Sequence, residues 1–470
     1  MNDSANFGKV IRKYIGSGEI HLDDGELRVC EFEVVQNTEG TLYALCEMEE
    51  IDVRILNLDK AVTLTGVEEN NRKLTLKVLT KRNSKLESRS NLTETFFRIT
   101  FIGQELTVES DGYKQSDEGE FRFPLTNFAF LGTEPIPVEK VNSTNRGLHL
   151  SLEISPFNID IRPAHDYRAS INEIRATRRT DITCYAIIDN VPFAQETEVI
   201  DVIDDLCLLL TLARGCRIEW PFFDATLPNG EAVKSYHRDA IIKPYSPLPL
   251  IARLPPEDIK HFIESSYPVL KEKKDKWGLK KAINTYTDAK LETDFLEFRA
   301  LKMVIVMEYL KSRFLEYVSE PAKVFILEPK LFEQEKTRLV KECRLAVQKV
   351  FPNIETSQAQ MMADHAQGFN YYTFSKSLSE MCITLGVQEN SRTRRRFTRI
   401  RNELVHRLSF LDDLEQERSY WKQYAYLMAF VGKLLLAILE YDGHYYDWTD
   451  PSGYEGDTKM RVKLDLNREA

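Results

Sequence analysis

One short stretch of the sequence combines cationic side chains with a group that can transfer a proton near neutral pH. Residues 392–407 contain seven arginines and a single acidic residue, Glu403. On a helix, positions three, four and seven apart share a face. Guanidinium groups bind phosphates and an imidazole exchanges protons close to pH 7, so such a face is suited to chemistry on a phosphate ester. Four residues have this spacing: Arg395, Arg399, Asn402 and His406.

Arg401 belongs to the same stretch but lies off this stripe. It precedes His406 by five positions, which on an ideal helix is about 140° around the axis. The two side chains could still meet at one phosphate if the arginine side chain bends back, or if the helix begins or bends here. A simpler interpretation is a solvated surface, because arginine-rich faces usually pair with acids and the chain contains 73 acidic residues.

The order of residues in this stretch resembles a known motif. The segment RNELVH, from Arg401 to His406, matches the R-N-x-x-x-H pattern of HEPN domains. The setting is similar too, because the motif lies late in a helical region, about residues 290–445, and another long helix follows it. The resemblance implies a helical bundle with metal-independent endoribonuclease activity, and many such proteins act in bacterial conflict with phages or plasmids.

The order of domains resembles that of ApeA-type defence proteins. In both, a β-rich N-terminal module precedes the helical domain, and the segment TDFLEFRALKMVIVMEYL is similar to an early HEPN helix. The resemblance therefore implies an abortive-infection effector that responds to an unknown phage or cellular trigger. It also implies that the N-terminal half senses that trigger or restrains the nuclease.

The resemblance assigns a role to each residue of the motif. In metal-free RNA cleavage the ribose 2′-OH attacks the adjacent phosphorus, so a base must accept its proton and an acid must protonate the leaving 5′-oxygen. His406 is expected to perform one of these transfers, and Arg401 to stabilise the negative charge of the phosphorane. Asn402 would orient the imidazole or hold phosphate. The arginines expected to bind RNA are Arg395, Arg399 and Arg407.

Two further expectations concern what completes this site. One motif supplies one histidine, whereas the reaction needs an acid and a base, so a homodimer or higher homo-oligomer that brings two motifs together is expected. Glu308, in the segment VIVMEYL, is a weaker candidate for a polar group of the site, and a surface glutamate is the simpler interpretation. Asp364 and His365 are adjacent but lack further ligands at a suitable spacing, so neither a metal nor another cofactor is expected.

The elements predicted around this stretch divide the chain into two parts. Short runs such as LRVCEFEVV and TLYALCEM predict strands through residues 1–225, arranged as a sandwich or an irregular barrel. Residues 226–256 are rich in proline and are predicted to be a linker. Residues 257–446 show helical periodicity, and residues 447–470 form a polar tail that is expected to be frayed. The predicted class is α+β, a β-rich domain followed by an all-helical bundle.

Two segments carry more specific expectations. ETEVIDVIDDLCLLLTLARG predicts a helix that ends at Gly215, and CRIEWPFF predicts a strand after it. In the last long helix, apolar residues recur at spacings of three and four, which predicts packing within its own bundle or, for part of this seam, a homodimer interface. The seam consists of Trp421, Tyr424, Met428, Val431, Leu435 and Ile438.

Composition excludes several classes of protein. The 470-residue chain has a formal net charge of −10, so it is not a generally basic nucleic-acid coat and any polyanion site must be local. The seven cysteines include no C-x-x-C pair, which indicates reduced thiols rather than disulfides or a zinc knuckle. The first thirty residues lack a signal peptide, and no apolar run reaches the ~20 residues needed to cross a bilayer. We therefore expect a cytoplasmic protein without membrane association.

A function of a different class remains open. In this alternative the helical bundle is a non-catalytic dimerisation or nucleotide-binding scaffold, and the β-rich domain performs the recognition. The complete set of Arg401, Asn402 and His406 favours the nuclease, because a scaffold does not need it.

Overall fold

The computed structural model describes most of the chain and divides it into two units. One unit comprises Met1–Tyr267 and the other Pro268–Ala470. The predicted α+β class is confirmed, since an antiparallel sheet dominates the N-terminal part and helices dominate the C-terminal part. The described residues are 9–22, 25–49, 62–88, 95–130, 132, 134–135, 148–253, 255–318, 326–368, 373–388, 391–410, 420–449 and 461–466.

The first strands of the N-terminal unit form a closed, barrel-like ring. Neighbours are hydrogen-bonded in the order β4–β1–β2–β3–β6–β5, and a further pairing between β4 and β5 closes the ring. Alternate residues face inward and fill the interior with apolar side chains such as Phe32, Val34 and Phe101. The six strands are β1 Val10–His21, β2 Leu27–Asn37, β3 Leu42–Met48, β4 Val62–Glu68, β5 Lys73–Ser88 and β6 Thr95–Gly103.

The sheet continues beyond the ring. From β5 the order is β7–β14–β13–β8–β12–β11–β10–β9. These strands are β7 Glu105–Glu109, β8 Glu118–Thr126, β9 Glu134–Pro135, β10 Leu148–Ile154, β11 Phe157–Pro163, β12 Ile182–Pro192, β13 Phe222–Thr226 and β14 Ala232–Arg238.

Three helical segments precede residue 215 in the described part of this unit, and the sequence predicts the last of them closely. The segments are α1 Tyr167–Thr177, a 3₁₀ turn at Phe193–Gln195 and α2 Glu196–Arg214. Helix α2 ends, as predicted, at Gly215, whose φ of 66° is a left-handed conformation that glycine adopts without strain.

Two expectations for this unit are wrong. Residues 226–256 are not a linker, because β14 pairs with both β13 and β7 inside the sheet. Further along, the backbone amides of Leu250 and Ile251 donate to the carbonyl oxygen of Ala213, and both side chains are buried. The strand expected at CRIEWPFF begins only at Phe222. Proline excludes regular structure locally, but it does not prevent such a segment from packing against the rest of its unit.

The C-terminal unit is mainly helical. Helix α3 begins before the division between the units, which falls at Tyr267–Pro268 within it. The helices are α3 Pro256–Trp277, α4 Leu279–Asp288, α5 Leu296–Arg313, α6 Pro329–Val350, α7 Thr356–Asp364, α8 Phe374–Thr384, α9 Ser391–Arg407 and α10 Tyr420–Ile438, with a π-helical turn at Phe314–Val318 and a 3₁₀ turn at His365–Gly368.

The apolar seam of α10 is part of the interior of this unit. Tyr424, Met428, Val431, Leu435 and Ile438 are all fully buried within the chain. This confirms packing within its own bundle. The alternative, in which part of the seam faces a second copy, is wrong for these five residues.

The polar tail is partly ordered rather than uniformly frayed. Strand β16, Arg461–Lys463, pairs with β15, His444–Tyr446. Trp448 and Leu464 are buried, so apolar residues within the tail anchor it to the unit. The rest of the tail prediction, residues 450–460 and 467–470, lies outside the described residues. Among the described helices, none has the combination of length and apolar character that crossing a bilayer requires.

Candidate functional site

The arginine-rich stretch forms helix α9, which has one buried and one exposed face. Phe397, Ile400 and Leu404 are buried at the spacings of three and four that define one face of a helix. The ring of Phe397 lies 4.1 Å from that of Phe430 in α10, which fixes this face against the bundle. The opposite face is exposed and carries the predicted stripe of Arg395, Arg399, Asn402 and His406.

Arg401 lies between these two faces and is held through two of its nitrogens. Its Nε donates to Oε1 of Glu308 over 2.9 Å, and its Nη1 donates to Oδ1 of Asn402 over 3.0 Å. The side chains of Arg401 and Glu308 are 26% and 28% exposed, so the ion pair is partly buried. Glu308 is therefore a direct neighbour of the motif, although its side chain is also partly exposed, as the simpler interpretation of a surface glutamate expects.

Two residues that the sequence reasoning missed complete this cluster. Nζ of Lys311, one turn after Glu308 in α5, lies 2.7 Å from the second carboxylate oxygen of Glu308. The ring of Phe374, at the start of α8, lies 5.4 Å from the Arg401 guanidinium and 5.1 Å from the Lys311 ammonium. Both distances suit cation–π attraction. Three helices thus meet at Arg401 and restrict the orientation of its side chain.

Of these two residues, only Lys311 has a spacing in the sequence from which it could be identified. Lys311 follows Glu308 by three positions, the spacing of an intrahelical ion pair, so it could have been identified with Glu308. Phe374 belongs to a different helix and has no spacing relation to Arg401. Its position follows from how α8 packs, which periodicity does not reveal.

Arg407, the third arginine expected to bind RNA, forms an ion pair within its own helix. Its Nη1 lies 3.2 Å from Oε2 of Glu403, one turn earlier on the same helix, and its side chain is 74% exposed. Helix α9 ends here, and Leu408 has a left-handed φ of 50°. Arg407 is therefore a cation at the end of the helix that already forms an ion pair with Glu403, and it is this paired cation that is expected to bind RNA.

The donors left at the motif are suited to binding an oxyanion. Nη2 of Arg401 has no acceptor among the described residues. Because Oδ1 of Asn402 accepts from Arg401, the amide nitrogen of Asn402 remains to donate elsewhere. His406 is exposed in the last turn of α9, about 7.5 Å further along the axis than Arg401. The arrangement therefore offers two hydrogen-bond donors and one imidazole to a ligand from outside.

Comparisons with known proteins leave the site to be interpreted from its own geometry. No family model matches the chain, and the searches of curated proteins and of solved structures found no match either.

Proposed function

We propose that the C-terminal unit is a metal-independent endoribonuclease of the HEPN type. The observation that carries this proposal is the exposed imidazole of His406 on the same helix as the Arg401 guanidinium, which Glu308 and Asn402 hold in place. A guanidinium group that is already oriented loses little freedom when it binds a phosphate. RNA is the proposed substrate, with Arg395 and Arg399 binding phosphates that flank the cut.

In the proposed reaction the ribose 2′-oxygen attacks the adjacent phosphorus, and the bond from phosphorus to the 5′-oxygen breaks. A base accepts the proton of the 2′-hydroxyl, and an acid donates a proton to the leaving 5′-oxygen. His406 performs one of these transfers. The remaining donors of Arg401 and Asn402 bind the non-bridging oxygens, whose negative charge increases in the phosphorane. The products are a 2′,3′-cyclic phosphate and a 5′-hydroxyl.

The second proton-transfer group is proposed to be the same histidine of a second copy, brought close by a homodimer.

We further propose that the protein acts in the cytoplasm as an abortive-infection effector. A nuclease that cuts cellular RNA has to be restrained, so the N-terminal unit would sense a phage or cellular trigger and, without it, lower the activity rather than abolish it.

One observation favours the alternative function, a non-catalytic scaffold. Arg401 has a carboxylate partner and an aromatic neighbour, which is also how an arginine that only stabilises the bundle would be surrounded. In this case the helical unit would dimerise or bind a nucleotide without cutting RNA.

RNA cleavage by the purified full chain in excess EDTA tests the proposal. The protein should cut RNA without a divalent cation and leave 2′,3′-cyclic phosphate ends, identified by mass spectrometry. An oligonucleotide with 2′-deoxyribose at the cut position should remain intact, because the nucleophile is absent.

Two outcomes would contradict the nuclease. Cleavage of the deoxy substrate, or complete loss of activity in EDTA, would indicate a metal-activated water and a different site. A stable homodimer that cuts no RNA when the N-terminal unit is removed or its trigger supplied would favour the scaffold.

A further inference from the structure

The N-terminal unit contains a cavity that none of the chemistry above uses. Its volume is about 550 Å³, within the range typical of small-molecule sites. It is lined by strand β1, by the turn between β4 and β5, and by strands β8, β12, β13 and β14, and β12 contributes the carboxylate of Asp189. Three arginines from separate parts of the sequence reach it: Arg12, Arg72 and Arg122.

A carboxylate orients each of these arginines. Arg12 pairs with Asp224, whose other oxygen accepts a hydrogen bond of 2.7 Å from Ser235. Nε of Arg72 donates to Glu68 over 2.7 Å. These contacts place the guanidinium groups at the cavity before any ligand arrives, which lowers the entropy lost on binding.

Arg122 is oriented in the same way by a carboxylate on its own strand. Its Nε donates to Glu120 over 2.9 Å, and its Nη2 lies 2.8 Å from the same oxygen. Glu120 stands two positions earlier in β8, on the same face of the strand.

Each guanidinium group keeps donors that its carboxylate does not use. Arg72 uses only Nε, so both of its terminal nitrogens are without an acceptor among the described residues. Arg12 uses one terminal nitrogen, and its guanidinium stacks 4.5 Å from the ring of Phe222. Arg122 keeps Nη1. Forked, charged donors of this kind match the paired oxygens of a phosphate or a carboxylate.

One wall of the cavity is uncharged. Nε2 of Gln36 donates to three backbone carbonyl groups, so its Oε1 accepts from Nδ1 of His237 over 2.8 Å. Nε2 of His237 therefore accepts from the hydroxyl of Tyr14, which lines the cavity, over 2.8 Å. Burial, reinforced by two nearby arginines, holds the pKa of His237 well below its usual range. The ring is neutral, so it adds no positive charge to this wall, and the cations that a ligand meets in the cavity are the three arginines.

We propose that this cavity binds a small molecule that carries a diphosphate group. Three guanidinium groups from different walls exceed what one carboxylate can accept, whereas a diphosphate offers enough terminal oxygens for all three. Glu68, Glu120 and Asp224 each hold an arginine, so they orient the site, whereas Asp189 of β12 is a further negative charge of the lining that the ligand has to avoid. The size of the cavity favours a small molecule over a polymer.

Calorimetric titration of the full chain with pyrophosphate tests this proposal, at constant ionic strength and without divalent cations. Pyrophosphate should bind with a defined stoichiometry and raise the melting temperature, and inorganic phosphate should bind more weakly. Arg122→Gln should weaken pyrophosphate binding about tenfold or more, because it removes charge-assisted hydrogen bonds. Its melting temperature without ligand should match that of the wild type, since the side chain is 46% exposed.

The chain contains a closely matched control. Arg162 pairs with Asp160, two positions earlier on β11, over 2.9 Å, and its side chain is 37% exposed. It does not line the cavity. Arg162→Gln should therefore bind pyrophosphate as the wild type does.

Three results would overturn the proposal. They are the absence of binding by either phosphate compound, an equal response to sulfate, and equal losses in Arg122→Gln and Arg162→Gln. Arg12→Gln should repeat the loss of affinity, but it removes a partner of Asp224, so the decision rests on Arg122→Gln.

Discussion

The arginines of helix α9 and those around the N-terminal cavity reach their positions in different ways. In α9 the exposed residues come from one short stretch, and helical spacing alone aligns them. Around the cavity they come from two strands and a turn that are far apart in the sequence, and the sheet brings them together. The first arrangement depends on local geometry, whereas the second depends on the fold of the whole unit.

This difference predicts different couplings between function and stability. Residues of the α9 stripe are exposed, so their replacement should change function and leave the fold intact. The cavity arginines hold carboxylates, and where the carboxylate is buried, as Glu68 is beside Arg72, replacing the arginine should also change stability. Arg401 is the exception within α9, because it pairs with Glu308 as a cavity arginine pairs with its own acid.

The largest effect is expected at His406. If it transfers a proton, His406→Ala should lower the cleavage rate about 10²–10⁴-fold and leave the melting temperature unchanged. The matched control is His365→Ala, which removes another exposed histidine of the same unit and should cut at the wild-type rate. Single-turnover cleavage and thermal unfolding measure the two quantities. A folded His406→Ala protein with full activity would remove this residue from the mechanism, and an unfolded one would show that its role is structural.

The next effect is expected at Arg401, where function and stability should change together. Arg401→Ala should lower the rate at saturating RNA about 10²–10³-fold, because a donor to the phosphorane is lost. It should also cost about 1 kcal/mol of unfolding free energy, since Glu308 loses one of its two cationic partners among the described residues and retains Lys311. Chemical denaturation and single-turnover kinetics provide both values.

Arg407→Ala is the control for Arg401, because its intrahelical pair with Glu403 is far more exposed. It should leave stability unchanged and affect only RNA binding. If the two variants show the same changes in unfolding free energy and cleavage rate, the ion pair that holds Arg401 does not contribute to its function.

A smaller effect, on stability alone, is expected at the cavity. Arg72→Gln should cost about 2–3 kcal/mol of unfolding free energy, because Glu68, whose side chain is 3% exposed, loses its charged partner. The control Lys73→Gln removes the adjacent cation, whose pair with Asp111 is exposed on both sides, and should cause no measurable change. If urea denaturation gives the same curve for both variants, pairing in the cavity does not stabilise the fold.

The same pair predicts a pH dependence. Burial alone would raise the pKa of Glu68, but hydrogen bonds from Arg72 and Asn70 outweigh it and hold the pKa below its ordinary value. Such a carboxylate stabilises the fold above its unfolded pKa of about 4.3, and the contribution is lost as the pH falls through the folded pKa. The melting-temperature difference between the wild type and Glu68→Gln should therefore shrink on acidification below about pH 4.3. A constant difference would contradict the assignment.

The smallest effect is expected at the exposed stripe. The double variant Arg395→Gln/Arg399→Gln should flatten the salt dependence of RNA binding, by about 0.7 in slope for each lost phosphate contact. The rate at saturating RNA should change much less, because binding is lost equally from the ground and transition states. Lys422→Gln, an exposed cation of α10, is the control. An unchanged slope in the double variant would show that the stripe is an ordinary solvated face.

Much of the secondary structure follows from local patterns. The alternation in LRVCEFEVV and the periodicity that ends at Gly215 predict β2 and α2 closely. The sequence pattern does not indicate strand β1, because it includes Gly16 and Gly18, and glycine lowers strand propensity. An ideal Cβ at either position would lie 2.1 Å from a carbonyl oxygen of β4, so the close approach of two backbones requires these glycines. That requirement exists only once β1 and β4 are paired.

For the candidate site, the sequence by itself determined which residues share the exposed face of α9, because helical spacing places the apolar Phe397, Ile400 and Leu404 on one side and the polar stripe on the other. The tertiary structure decided the rest. It paired Arg401 with Glu308, brought Phe374 beside them, and collected three arginines around one cavity. Such contacts join residues on different elements, whose relative positions follow from the packing of apolar faces and the pairing of strands. Neither leaves a spacing in the sequence from which the contact can be deduced.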